Sequence, residues 1–443
     1  MAHRYFPHTS GDLKEMLESC GVSELGDLYA DVPDSLRLKH PYNLPEEMSE
    51  KEVRDFFASL ASKNRKLTCF AGAGFYDHFA PAAVGSIISR SEFLTAYTPY
   101  QPEISQGTLQ YIFEYQSIMA MLTGLEVSNA SMYDGATATA EAMVMAVSHA
   151  RKRNRILASA TLNPAVRRVM DTYARYRGIV IDTIPAHDGV TSIDSLKQML
   201  AEGNVAGVVL PTPNYYGILE DLTGVADMCH AAKALLILNC RASSLSVIKS
   251  PGEWGADIAC GDAQSLGFPL NYGGPYLGFL CCTKALMRKL PGRIVGATTD
   301  REGRRCFVLT LQAREQHIRR EKATSNICSN QGLMALYVAV YVALLGPAGL
   351  REVNEQGASG ARYLAEGLEK CGAMKLTWPG KPFLDEFLMT SNIDLDEFER
   401  KCLEAGILPG VRIESDKLLI AVTEMQTLDD LNRYISIAAS LTR

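Results

Sequence analysis

Short apolar runs alternate with helical stretches through the middle of the chain. The runs are RILASA (155–160), GIVIDTIP (178–185), VAGVVLP (205–211), ALLILNC (234–240) and DIACG (257–261). The helical stretches between them include PAVRRVMDTYARYRG (164–178) and LTGVADMCHAAK (222–233). Strands that are apolar at nearly every position are typical of sheets buried on both faces, and their alternation with helices favours a parallel or mixed α/β sheet. LGFLCC (277–282) follows DIACG with no helix between them.

A helical period begins before this region, near residue 105. Its apolar positions recur at helical spacing, and they are Leu109, Ile112, Phe113, Met119 and Leu122. Gly124 is a suitable helix stop. The segment ASMYDGATATAEAMVMAVSHA (130–150) then begins with a turn and continues as a helix rich in Ala and Met, for which Asp134 or Thr137 is the expected cap.

The pattern changes near both ends of the chain. Residues 1–66 are polar and favour helices, and we predict an N-terminal helical arm. Residues 67–345 form the predicted large α/β domain. From GPAGLREV onward we predict a smaller C-terminal α+β domain, residues 346–443, whose expected elements are a helix at 350–370, a strand at 383–391, a helix at 395–406, a strand at 417–424 and a final helix.

Composition and charge narrow the functional classes. The chain has 443 residues, 47% of them hydrophobic, with a net charge of −6, which argues against binding to nucleic acid or to an anionic membrane. Eleven cysteines without a CxxC motif indicate free thiols in a reducing compartment, and we assign no metal site. The N-terminus has no apolar signal core, and we find no stretch of the roughly 18 apolar residues that would span a bilayer. We expect a cytoplasmic protein.

The turn FAGAGFYDHFAP (70–81) is rich in glycine. No strand-then-helix GxGxxG pattern surrounds it, so we predict no dinucleotide site there.

The two-domain pattern and the turn-to-helix at 131–138 together resemble a pyridoxal phosphate (PLP) enzyme of fold type I, the aspartate-aminotransferase fold. Such a site needs a Schiff-base lysine, an acid for the pyridine nitrogen and a helix N-terminus for the phosphate. Asp134, Gly135 and Thr137 form a candidate phosphate loop, although most helix starts of this kind are simply capped. Asp134 would also repel a phosphate, so the loop looks degenerate.

The other two chemical parts are missing. The strand ALLILNC ends at Asn239 and Cys240 and is followed by Arg241, with no carboxylate. No lysine lies between Lys249 and Lys284, which spans the loop CGDAQSLGFPLNYGGPYLGFL (260–280). Lys284 begins a helix, where an ordinary surface lysine is the favoured interpretation. The sequence therefore predicts the architecture of a PLP enzyme with a degenerate cofactor site.

Two further segments are rich in polar groups. TAYTPYQPEISQG (95–107) carries Tyr97, Tyr100, Gln101 and Glu103 between prolines that stiffen it. It is either a surface loop whose tyrosines pack on the body or a recognition loop that reaches a neighbouring site. REQHIRREKATSNICSNQG (314–332) is either a solvated, salt-bridged face or an interface that recognises an anion; its candidate residues are Arg314, His317, Arg319, Arg320 and Lys322.

These two segments, together with LNYGGPYLGF (270–279), resemble the glycine decarboxylase P-proteins of the glycine cleavage system. Within that family the chain is most similar to the α subunit, subunit 1, of the form split into two polypeptides. The resemblance implies that the β subunit carries the lysine and PLP, whereas the α subunit lacks the lysine. It also implies an αβ pair, often assembled as an α2β2 tetramer.

The family reaction begins with glycine, which loses CO2, and the aminomethyl group passes to the lipoyl arm of the H-protein. Because sites of this fold are built at subunit interfaces, the resemblance implies that Tyr97, Tyr100, Gln101 and Glu103 face the site of the β subunit. Two alternatives stay open: an autonomous PLP enzyme that uses Lys284, and a purely structural partner subunit.

Overall fold

The computed structural model describes residues 5, 7–311, 316–323 and 325–442. The helices are α1 (Ser10–Ser19), α2 (Glu50–Ala61), α3 (Ala82–Ile88), α4 (Ser91–Leu94), α5 (Gln106–Thr123), α6 (Gly135–Ala150), α7 (Pro164–Arg175), α8 (Ile193–Ala201), α9 (Val225–Ala231), α10 (Gln316–Arg319), α11 (Gly332–Lys370), α12 (Leu395–Glu404) and α13 (Leu428–Ala439). The strands are β1 (Thr68–Cys69), β2 (Val127–Ser128), β3 (Arg155–Ser159), β4 (Val180–Ile184), β5 (Ala186–His187), β6 (Val190–Thr191), β7 (Val205–Thr212), β8 (Leu235–Arg241), β9 (Ile258–Asp262), β10 (Gly278–Cys282), β11 (Ile294–Thr299), β12 (Arg305–Thr310), β13 (Met374–Leu376), β14 (Glu386–Ser391), β15 (Ile407–Leu408), β16 (Val411–Glu414) and β17 (Lys417–Ala421).

The chain divides into two compact units, Met1–Arg65 and Lys66–Arg443. The first unit contains α1 and α2, and each helix begins with a capping box, Thr9 with Asp12 and Ser49 with Glu52. In such a box the two side chains satisfy each other's free backbone N–H groups. Neither helix has a buried residue, so capping stabilises them where packing does not.

A seven-stranded mixed sheet forms the centre of the second unit. Its strand order is β2-β10-β9-β8-β7-β3-β4, and β10 runs antiparallel to both of its neighbours. The five consecutive strands from β9 to β4 in this order are parallel to one another. Every residue of β7 is buried, as its unbroken apolar sequence requires. The mixed α/β sheet predicted from the alternating runs is confirmed.

A four-stranded antiparallel sheet, in the order β13-β14-β17-β16, lies further along the second unit. Residues of α11, α12 and α13 pack with this sheet in one apolar cluster. β1 pairs in parallel with β15, so the chain just after the first unit joins the C-terminal region. The division into domains 67–345 and 346–443 stays a prediction.

The helix α11 differs from the sequence expectation. It is long and apolar enough to cross a bilayer, although we expected no such stretch. Ala335, Leu336 and Tyr341 on it are buried in the main apolar core of the unit. The helix is also interrupted at Gly346, whose φ is 61°, just before Pro347. Of its apolar 18-residue stretch, 39% is buried inside the fold, so part of its apolar surface packs in the core.

Candidate functional site

A cavity of about 530 Å³ lies at the carboxyl ends of β7, β8 and β9. The loop at 74–76, the N-terminus of α6 and the two acids Asp385 and Glu386 also line it. Ligands of open α/β sheets bind at this edge, because the loops that follow parallel strands converge there. The cavity is therefore the candidate site of this fold.

Carboxylates occupy the N-terminus of α6, where the fold would hold a phosphate. Asp134 is the N-cap and accepts a hydrogen bond from the backbone N–H of Thr137 at 2.8 Å. Asp262 accepts one from the backbone N–H of Gly135 at 3.0 Å. A Cβ on Gly135 would lie 2.6 Å from the backbone nitrogen of Asp262, so only glycine allows this close approach. The predicted loop of Asp134, Gly135 and Thr137 thus starts a helix whose positive end is already matched by the chain's own acids.

Burial raises the pKa of Asp262 to about 7, and the nearby Asp134 carboxylate acts in the same direction. Hydrogen bonds from the backbone N–H groups of Gly135 and Gln264 act against this rise. Asp262 is the single acid of the 260–280 loop. No local pattern indicates that it bonds to the first backbone N–H of α6, because the two segments are far apart in the chain.

The rest of that loop is structural. Gln264 is buried and holds the backbone of Tyr76 with two hydrogen bonds, at 2.8 and 2.7 Å. Gly273 and Gly274 have φ values of 110° and 139°, which favour glycine. Tyr272, between Asn271 and these glycines, is 96% exposed at the tip of the turn.

The carboxyl end of β8 carries no acid. Asn239 donates a hydrogen bond to the hydroxyl of Thr139 at 2.8 Å. The guanidinium of Arg241 pairs with Asp385 at 2.6 Å and lies 4.3 Å from the centre of the Tyr76 ring. This cation would oppose a protonated pyridine nitrogen.

Glu386 is the second buried acid of the cavity, with an exposure of 4%. It accepts hydrogen bonds from the backbone N–H of Ala73 at 2.6 Å and from the hydroxyl of Tyr76 at 2.7 Å. Burial raises its pKa to about 7. A Cβ on Gly72 would collide with the Glu386 carboxylate, so the glycine-rich turn folds closely around this acid. No sequence pattern indicated that Tyr76, Asp385 and Glu386 belong to this site.

The residues of the cavity do not fit PLP. None of the described lining residues is a lysine, and the phosphate end carries two acids. Lys284 is exposed and outside the cavity, and its backbone N–H donates to Glu126 at 2.7 Å. The alternative in which Lys284 forms the Schiff base has no support in this geometry.

The segment at 95–107 lies on the surface, outside the cavity. Tyr97 is 78% exposed, and its hydroxyl lies 3.5 Å from that of Ser329. The hydroxyl of Tyr100 accepts a hydrogen bond from buried Arg293 at 3.2 Å. Gln101 and Glu103 are exposed. The segment cannot serve the cavity of its own chain, and its role toward a partner stays a prediction.

The second polar segment is described in part. Arg314 and the side chain of His317 lie outside the described residues, whereas Arg319, Arg320 and Lys322 are exposed. Their interface role stays a prediction as well.

The model of the glycine cleavage system P-protein family matches residues 3–438 of this chain. The chain belongs to that family. It is 46% identical over 438 residues to the "Probable glycine dehydrogenase (decarboxylating) subunit 1" of Moorella thermoacetica, covering 98% of each chain. A protein of the same name from Geobacillus sp. is 44% identical over 444 residues, again with 98% of each chain covered.

A solved structure extends the comparison to three dimensions. The crystal structure of glycine decarboxylase (P-protein) of the glycine cleavage system, in inhibitor-bound form, superposes with a TM-score of 0.90. It is 42% identical and the match covers 99% of this chain and 100% of that one. The family and the PLP-enzyme fold predicted from the sequence are both confirmed.

Proposed function

We propose that this chain is the subunit of glycine dehydrogenase (decarboxylating) that does not carry PLP, and that it acts with a second chain that holds the lysine and the cofactor. Together the two decarboxylate glycine and pass the aminomethyl group to the lipoyl arm of the H-protein. The observation that carries the proposal is the cavity itself, where no described residue is a lysine and acids fill the phosphate end. The name subunit 1 of its relatives supports a partner chain.

The contribution of this chain is made across the subunit interface. PLP on the partner supplies the electron sink for loss of CO2. Tyr97, Tyr100, Gln101 and Glu103 present hydroxyl, amide and carboxylate groups from an exposed segment that contains Pro99 and Pro102. Fixed polar groups of this kind orient a substrate carboxylate or a cofactor at low entropic cost. Arg319, Arg320 and Lys322 belong to the proposed interface.

The proposed assembly is an α2β2 tetramer in the cytoplasm, which the lipoylated H-protein visits. Free cysteines at all eleven positions suit a reducing compartment.

Exchange of the glycine carboxyl group with labelled CO2, in the presence of H-protein and PLP, tests the proposal. We expect no exchange with this chain alone and full exchange when the partner subunit is added. Borohydride reduction should fix PLP on the partner and leave this chain unlabelled. Exchange by this chain alone, lost on Lys284→Ala, would establish the autonomous enzyme instead. A complex that keeps full exchange when its 97–103 side chains are replaced would show a purely structural subunit.

A further inference from the structure

A second cavity, of about 220 Å³, lies between α6, the turn at 288–292 and the segment that follows α10. Four cationic side chains line it, Arg288, Lys289, Arg319 and Lys322. Among the described lining residues, Glu141 is the one acid. Two of these residues, Arg319 and Lys322, also belong to the proposed interface, whereas the proposed function assigns no role to Glu141, Arg288 or Lys289.

Three of the cationic side chains that line the cavity have no acidic partner among the described residues. In the part of the chain that the structure describes, Arg288, Lys289 and Lys322 form no ion pair with Asp or Glu. Lys289 reaches only the carbonyl and hydroxyl oxygens of Ser148, at 3.4 and 3.3 Å. The whole chain is acidic, with 50 acids against 44 Lys and Arg. Like charges gathered in one concavity repel one another, and a bound anion relieves that repulsion.

Glu141 lies at this cavity with an exposure of only 2%. Its Oε1 atom is buried and has no hydrogen-bond partner. Burial raises its pKa to about 7, against the opposing effects of a hydrogen bond with Ser325 and the charge of Arg177. A buried carboxyl group without a partner is costly unless a ligand or water satisfies it. In its protonated form this group is a hydrogen-bond donor.

We propose that this cavity binds an oxyanion, a phosphate or carboxylate group that belongs to a small molecule or to the partner subunit. Arg288, Lys289 and Lys322 neutralise the anion, and protonated Glu141 donates a hydrogen bond to one of its oxygens. A volume of about 220 Å³ accommodates a phosphate or carboxylate group together with a few further atoms of the molecule that carries it, since one water occupies roughly 30 Å³ of liquid.

Calorimetric titration of the full chain with sulfate at constant ionic strength tests this proposal. Arg288→Gln combined with Lys322→Gln should weaken sulfate binding about tenfold or more, because two charge-assisted contacts are lost. Lys284→Gln is the matched control: it lies on the same 284–289 turn as Arg288 but outside the cavity, and should leave the affinity unchanged. No saturable binding, or equal weakening by the control, would overturn the proposal.

Glu141→Gln tests the positioning role of Glu141. The charged and titratable groups around Glu141 are Arg177, whose charge opposes the rise in its pKa, Tyr173, and the Arg288, Lys289, Arg319 and Lys322 that line the same cavity. Burial raises the pKa of Glu141 itself to about 7. Sulfate affinity of the wild-type chain should therefore fall as pH rises through about 7. The glutamine variant keeps a donor and should show no such fall. Equal pH dependence in both proteins would exclude Glu141 from the site.

Repeating the sulfate titration on the complex with the partner subunit distinguishes the two sources of the anion, a small molecule and a group of the partner. If a small molecule supplies the anion, the free chain and the complex bind sulfate alike. If a group of the partner supplies it, the free chain binds sulfate and the complex does not. Both results support the oxyanion site, and neither depends on catalytic activity, so the site stands or fails separately from the proposed function.

Discussion

Asp262 accepts a hydrogen bond from the backbone N–H of Gly135 at 3.0 Å, at the first residue of α6. A helix N-terminus at the carboxyl edge of a parallel sheet is a ready anion site, because its N–H groups are unpaired and its dipole is positive. Here an acid from the end of β9 already occupies that position. The fold of a PLP site is therefore kept, but the N–H group that would bind the phosphate of PLP is already bonded to Asp262.

The first prediction concerns this contact. Asp262→Ala removes the acceptor for two backbone N–H groups, those of Gly135 and Gln264. We expect the free energy of unfolding to fall by roughly 1–2 kcal/mol, the usual effect of losing a cap and leaving donors unpaired. Urea unfolding measures it. Asp221→Ala is the control, since Asp221 also accepts two hydrogen bonds, both from exposed Thr223, and should change stability by less than about 0.5 kcal/mol.

The second prediction concerns the ion pair between Arg241 and Asp385, whose side chains are only 9% and 4% exposed. Removing one member leaves a buried charge unpaired, so Arg241→Met or Asp385→Leu should each lower the free energy of unfolding by roughly 3–5 kcal/mol. The double variant should recover most of that loss, because no charge stays buried. A double-mutant cycle by urea unfolding gives the coupling, and additive losses would contradict a direct pair.

Local pattern determined much of what could be predicted. The strand at VAGVVLP is buried at every position, and Asp134 caps α6 as its residue type and position require. The lack of a Schiff-base lysine was also evident from the sequence, since the 260–280 loop contains no lysine. These features depend on residues that are close together in the chain.

The site residues that were not predicted, such as Tyr76 and Glu386, are far apart in the chain. Tyr76 and Glu386 are separated by 310 positions, and only the folded topology brings their oxygen atoms within 2.7 Å. From the sequence alone, FAGAGFYDHFAP indicated only a glycine-rich turn. The same reason explains α11, because composition does not distinguish a core helix from a membrane helix, whereas the burial of residues such as Ala335 and Tyr341 in the apolar core is visible only in the fold.

The third prediction is a pH dependence of stability. Burial raises the pKa of Glu386 from 4.5 to about 7, so the folded chain binds this proton more tightly than the unfolded chain. The stabilisation is complete below about 4.5 and is lost as pH rises through about 7. Its full size is of order 3 kcal/mol.

Glu386→Gln tests that dependence because the amide does not titrate. Its oxygen still accepts from the backbone N–H of Ala73, and its NH2 group donates to the Tyr76 hydroxyl oxygen in place of the bond that Glu386 accepts. The unfolding free energy of the wild type should decline relative to the variant between pH values of about 4.5 and 7. Parallel curves for the two proteins would show that Glu386 has an ordinary pKa in the folded state.

The fourth prediction concerns the exposed segment at 95–107. Gln101→Ala and Glu103→Gln change exposed side chains, so the stability of the chain itself should stay within about 0.5 kcal/mol of the wild type. If these groups complete the site of the partner, Gln101→Ala removes a hydrogen bond to a charged group, and Glu103→Gln removes the charge that strengthens such a bond. Glycine exchange by the complex should then fall roughly 10- to 150-fold, which corresponds to 1.5–3 kcal/mol.

Matched controls for this test lie one helix away. Gln110→Ala and Glu114→Gln alter the same residue types at exposed positions of α5, where the two side chains bond to each other at 2.9 Å. They should leave exchange unchanged. Because all four variants keep the chain folded, a loss confined to Gln101 and Glu103 assigns the effect to the segment. Equal activity of all four would show that the segment is only a surface loop and that its polar groups face solvent in the complex.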